Sequence, residues 1–133
     1  MKYMGIDFGL KRIGLAFSDE TEMFAMPHVV IANSKDVAKR VIEEGVSNNV
    51  DAYVVGESKN FAGKDNPIME YIKVFVEELK NISKRDVYLE PEFMTSAHAE
   101  KLQGKHKLLD ASAAALILQS FLDRKRSGLS NGV

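Results

Sequence analysis

The chain has 133 residues, enough for one domain with a sizeable core, and its 45% hydrophobic and 28% charged content is that of an ordinary globular protein. A formal net charge of −1 excludes a uniformly basic nucleic-acid coat protein, though not an enzyme whose own acids offset a local basic surface. Cysteine is absent, which excludes disulfides and thiolate metal sites; no run of about 18 apolar residues offers a membrane span, and the first residues enter a strand without a signal-peptide pattern. The reading is a cytoplasmic protein with no membrane partner.

Lys2 to Asp7 alternates, with Met4 and Ile6 on one face and Tyr3, Gly5 and Asp7 on the other. Gly9, a residue able to take φ > 0, and the basic pair Lys11-Arg12 lie in the turn that follows. In the second strand Ile13, Leu15 and Phe17 form a bulky side, and Gly14, Ala16 and Ser18 a side of small residues that a helix can approach closely. A β-branched run from about Phe24 to Ile31, with Pro27 near its start, predicts a third strand and so an antiparallel meander. Asn33 and Ser34 are N-cap candidates for a helix with the stripe Val37, Ala38, Val41, Ile42 and Gly45.

Asp51 to Gly56 reads as a strand buried on both faces, and the helix before it implies a parallel crossover. Glu57 to Asp65 has no periodicity and reads as a loop. Asn66-Pro67 then opens a helix whose buried stripe is Ile68, Ile72, Phe75, Val76, Leu79 and Ile82. Val87 to Leu89 is a strand stopped by Pro91, and Met94-Thr95-Ser96 leads into a short helix ending near Gly104. Alanine-rich sequence from about Leu109 to Arg126 predicts a last helix that packs closely on the sheet, and residues 127–133 read as a flexible tail. The expected architecture is α/β: a five-stranded mixed sheet, three antiparallel strands plus two crossover strands, with helices on both faces of a single domain, residues 1–133.

Strand tips at the carboxyl edge of such a sheet are where ligands sit. Asp7 ends the first strand, Glu90 and Glu92 follow the last, and Asp110 starts the last helix. Converging carboxylates, without cysteine or paired histidines, are hard oxygen ligands for Mg²⁺ or Mn²⁺. Two such ions roughly 3.5–4 Å apart serve phosphodiester hydrolysis. Each acid also has an ordinary structural reading: Asp110 suits a helix N-terminus, and Glu92 suits a surface turn. His28, His98 and His106 have no ligand spacing, and Asp7-Phe8-Gly9 lacks the companion motifs of a protein kinase.

The chain resembles the YqgF/RuvX family, of RNase H-like fold, whose members are described as Holliday junction resolvases or pre-16S rRNA 5′-end nucleases. Gly5-Ile6-Asp7-Phe8-Gly9 through Lys11-Arg12-Ile13-Gly14-Leu15-Ala16 follows the family's first motif. Val54-Val55-Gly56 matches its "vvGlP" strand and loop, and Asp110, Ala113-Ala114 and Ile117-Leu118-Gln119 match its final "D..AA..ILQ" helix. After the last strand the family has "DERlTT"; a gapless register places Pro91, Glu92 and Phe93 at its Asp, Glu and Arg, and Thr95-Ser96 at its threonines. After Gly56, Glu57-Ser58-Lys59-Asn60 stands where the family has "LPLN".

The resemblance implies that Asp7, Glu92 and Asp110 are catalytic and bind the metals, with Glu90 as substitute if the turn differs. Lys11, Arg12, Asn60, Thr95 and Ser96 would serve nucleic-acid binding. The implied activity is metal-dependent hydrolysis in 5′-end processing of pre-16S rRNA. The alternatives are junction resolution, or an RNase H-like binding module weakened in catalysis by Pro91 and Phe93. The expected partner is structured RNA or branched DNA, bound by a monomer or a homodimer; a symmetric junction favours the latter.

Overall fold

The structure, a computed structural model, describes residues 1–59, 62–92 and 109–128, and the side chains of Glu92, Leu109 and Asp110 lie outside that description. The elements run β1 (Tyr3–Phe8), β2 (Arg12–Ser18), β3 (Ala25–Ala32), α1 (Val37–Ser47), β4 (Ala52–Ser58), α2 (Met69–Ser83), β5 (Val87–Glu92) and α3 (Leu109–Ser127). One five-stranded sheet has the order β3-β2-β1-β4-β5. The first three strands are antiparallel, whereas β4 joins β1, and β5 joins β4, in parallel.

The period-2 alternation of β1 divides the core in two. Met4 and Ile6, with Ile13, Leu15, Tyr53 and Val55, pack under α1 and α2 through Val41, Ile72, Phe75 and Leu79. On the opposite face Tyr3, Ala16, Ala52 and Val54 meet Ala114, Ile117, Leu118, Phe121 and Leu122 of α3. Small residues let α3 lie close: a Cβ built on Gly5 would stand 2.7 Å from both the Ala114 carbonyl oxygen and Leu118 Cβ. The aromatic end of this layer is closed by Phe121, whose ring is 5.2 Å from Tyr3 and 5.3 Å from Tyr88.

Five local expectations are corrected. Asn33 and Ser34 do not cap α1 with their side chains; Asn33 Nδ2 instead donates to the Gly9 carbonyl at 2.8 Å, tying the end of β3 to the β1–β2 turn. Asn66 Nδ2 donates to Ser58 Oγ at 2.9 Å, while its carbonyl accepts the Met69 N–H, so α2 begins at Met69 and not at Pro67. Ile82 is 46% exposed, outside the buried stripe of α2. Strand β5 runs past Leu89 and through Pro91 to Glu92, which an outer strand tolerates because one side of its backbone has no ladder to complete. Gly9 does not use a positive φ; a Cβ there would stand 2.5 Å from the Arg12 carbonyl oxygen, so close approach is what requires glycine. The expected short helix after Ser96 and the tail beyond Gly128 lie outside the described residues.

Because neither Ala114 nor Leu118 can retreat without moving α3, Gly5→Ala is expected to cost about 1–3 kcal/mol through overpacking. Denaturant unfolding monitored by far-UV circular dichroism checks this, and an unchanged midpoint would contradict the close packing.

Candidate metal-binding edge of the sheet

Asp7 is half-buried at the carboxyl end of β1, paired with Gly14 across the hairpin. It belongs to the Tyr3–Gly5–Asp7 face, the one that α3 covers. Ile6 pairs with Val55, so Asp7 stands level with Gly56, and Gly56 pairs with Glu90 on β5. Glu92, opposite Ser58, lies two residues further along β5. Alternation puts positions 7, 56, 90 and 92 on one face.

Helix α3 runs antiparallel to β1. Tyr3 meets Phe121, and Gly5 meets Ala114 and Leu118. A strand advances about 6.6 Å over two residues and a helix about 1.5 Å per residue, so each such step on β1 spans roughly four to five residues of α3. Asp7 therefore lies at about the level of residues 111–112, one turn or less from position 110. The fold brings positions 7, 92 and 110 to one edge and one face.

Glu90 has a different environment. It is 2% exposed, Ser120 Oγ donates to its Oε2 at 2.7 Å, and Arg124 Nη2 lies 2.7 Å from its Oε1. That last approach is an ion pair without hydrogen-bond alignment, for Glu90 Oε1 and Arg124 Nε have no hydrogen-bond partner among the described residues. Both oxygens of Glu90 are thus directed to α3. Sequence spacing missed this pair because its members are 34 positions apart and nothing local links them. A glutamate in an outward-facing strand and an arginine in the last helix turn read as ordinary surface charges.

Lys11 and Arg12 are exposed at the β1–β2 turn, on the same edge as Asp7. Asn60, Thr95 and Ser96 lie outside the described residues. Next to Asn60, Lys59 pairs with Asp65 across an antiparallel bridge, with Lys59 Nζ 2.8 Å and Lys73 Nζ 3.3 Å from the Asp65 carboxylate. The hydrogen bond from Lys59, followed by that from Lys73, holds the Asp65 carboxyl below its ordinary range, and the bond to Asp65 raises Lys59. Among the described residues no three of His, Cys, Asp and Glu form a cluster that could hold a metal. The carboxylates expected from the sequence at positions 7, 92 and 110 are of the residue type that suits a hard divalent cation.

A mixed sheet in this order, with two of the described helices on one face and one on the other, is RNase H-like. It superposes on Thermus thermophilus RuvC in complex with a Holliday junction substrate with a TM-score of 0.62 at 20% identity, covering 96% of this chain and 97% of that one. Fowlpox virus resolvase bound to Holliday junction DNA gives a TM-score of 0.58 at 16% identity, covering 94% and 99%. The chain belongs to the family described as "RuvX: Holliday junction resolvase", whose model matches residues 1–124. Relatives named "Putative pre-16S rRNA nuclease" include one from Nitratidesulfovibrio vulgaris, 35% identical over 96% of both chains. Another, from Bacillus cereus, is 33% identical over 94% of this chain and 100% of its own.

Two outcomes are expected. Glu90→Gln keeps a partner for Ser120 but removes the charge facing Arg124, and should cost about 1–3 kcal/mol; Arg124 is 41% exposed and stays partly hydrated, which limits the loss. Thermal unfolding at matched pH reads it. Asp65 has a folded pKa below its unfolded one, so its stabilising pairing is complete above the unfolded value and is lost as pH falls through the folded one. Proteolytic nicking between residues 59 and 65 should therefore rise on acidification below the ordinary carboxylate range, and be high at every pH in Lys59→Ala.

Proposed function

We propose that the chain is a divalent-metal-dependent nuclease acting in 5′-end maturation of pre-16S rRNA, with Asp7, Glu92 and Asp110 holding the metals. The observation that carries this reading is the register: it sets positions 7 and 92 on one face, beneath the N-terminal end of α3, while Glu90 is held by Ser120 and Arg124. Of the two glutamates at the end of β5, this supports Glu92 as the ligand. Bound Mg²⁺ or Mn²⁺ supplies a water of lowered pKa and charge stabilisation at the leaving oxygen.

The chain's own residues do the rest. Asp7 fixes its end of the site because β1 is a central strand, paired on both sides. The β1–β2 turn, held by Asn33 at the Gly9 carbonyl, presents Lys11 and Arg12 to the phosphate backbone, contacts that position a substrate without reading its sequence. Asn60, Thr95 and Ser96 complete the contact surface by family resemblance. Pre-16S rRNA as the substrate is supported by the names of relatives that align over nearly their whole length. The family's description favours a second reading, cleavage of four-way DNA junctions.

Cleavage of a pre-16S rRNA 5′-end fragment and of a four-way junction, each with Mg²⁺, Mn²⁺ or chelator, separates the readings. Asp7→Asn and Glu92→Gln are expected to lower turnover on the order of a hundredfold or more, and Glu90→Gln to retain it below its unfolding temperature. Binding without cleavage under any metal would leave a nucleic-acid-binding module. Wild-type turnover in Asp7→Asn would place the chemistry elsewhere.

A further inference from the structure

Cations without an acidic partner gather at one corner of the molecule. The Asn33 N–H donates to the Lys11 carbonyl at 2.9 Å, which bonds the β1–β2 turn directly to the start of the β3–α1 connection. Lys35 follows two residues later, and Lys39 and Arg40 lie in the first turn of α1. Ala32 ends β3 opposite Arg12, so this connection starts at the edge that carries Asp7. Lys11, Lys35, Lys39 and Arg40 are exposed, and none of them forms an ion pair among the described residues. Asp36, the acid within residues 33–40, does not pair with them, and Glu44 lies 2.9 Å from His28. Like charges held this close repel one another, a cost that an anionic partner reverses.

The other side of the edge is different. Lys59 and Lys73 are both engaged by Asp65, and Glu70 and Glu78 stand exposed on α2. Charge along the edge is therefore polarised, with open cations toward β3 and α1 and acids toward α2. The N-cap residue Asp36 makes no side-chain bond to the first turn of α1, so the orphan N–H groups there add partial positive charge to the same corner.

We propose that Lys35, Lys39 and Arg40 continue the phosphate contacts of Lys11 and Arg12, forming a track along which the substrate backbone leaves the Asp7 edge toward β3 and α1. This rests on the nucleic-acid reading above and adds to it the side of the sheet that holds the phosphates outside the cleaved bond. The group recognised is the phosphodiester backbone, which RNA and DNA share, so the track positions a substrate without reading its bases.

The test reads binding and not cleavage. Full chain carrying Asp7→Asn, without divalent metal, is titrated by fluorescence anisotropy onto a pre-16S rRNA 5′-end fragment and onto a four-way junction over a salt series. In that background Lys35→Gln and Lys39→Gln are each expected to weaken binding roughly three- to tenfold and to lower the slope of log affinity against log salt by about 0.7–0.9. Both positions are exposed, so the unfolding midpoint should not move. Lys84→Gln, exposed at the far end of α2, is expected to change neither affinity nor slope. A loss confined to the RNA or to the junction supports the track and names the source of its backbone. Unchanged binding in Lys35→Gln and Lys39→Gln beside a loss in Lys11→Gln would overturn the track and leave the nucleic-acid reading standing. An equal loss in Lys84→Gln would also overturn it, reducing the effect to net charge. If the parent chain binds neither substrate, the track and the reading fall together.

Discussion

The contact on which the rest depends is that of α3 with β1 at Gly5. With no Cβ on Gly5, the Ala114 carbonyl and the Leu118 side chain descend to the sheet itself. That closeness lets one helix span the face, touching β2, β1 and β3 most extensively while still reaching β4 and β5. It also sets the axial position of α3 against β1, and with it the level at which position 110 stands relative to Asp7. Packing of small residues one pleat from Asp7 thus sets the level of the candidate site, as dense interiors transmit position.

The two ends of α3 perform different tasks. Its N-terminal end overlies the carboxyl edge of the sheet. Its C-terminal half carries Ser120 and Arg124 to Glu90, and Lys125 to Glu22 at 3.0 Å. The exposed pair with Glu22 contributes little by itself. In the other pair Glu90 is buried and Arg124 partly hydrated, and its worth lies in directing the Glu90 carboxylate onto α3.

Much of the fold was legible because the dominant signal was period-2 burial. Alternation in β1, the small face of β2 and the alanines of α3 announced the meander and the helix that lies on it. The acids were legible only as strand-end and helix-start residues; which positions share an edge required the register, which spacing alone does not contain. Helix beginnings read poorly for a physical reason. Asn33 and Asn66 are good capping residues, but each has a tertiary partner, the Gly9 carbonyl and Ser58 Oγ, that competes for the same amide. Pro91 misled in the opposite sense, since a proline that would end a central strand is harmless at the sheet margin.

That proline has a counterpart. The sheet has two margins, β3 and β5, and Pro27 lies in one while Pro91 lies in the other. Next to Pro27 the ladder is also irregular, with the register shifting between Leu15 and Ala16. Each margin therefore carries one residue without a backbone N–H donor. Among the described strands, both outer ones thus carry a proline, a device by which sheet margins discourage the addition of a further strand.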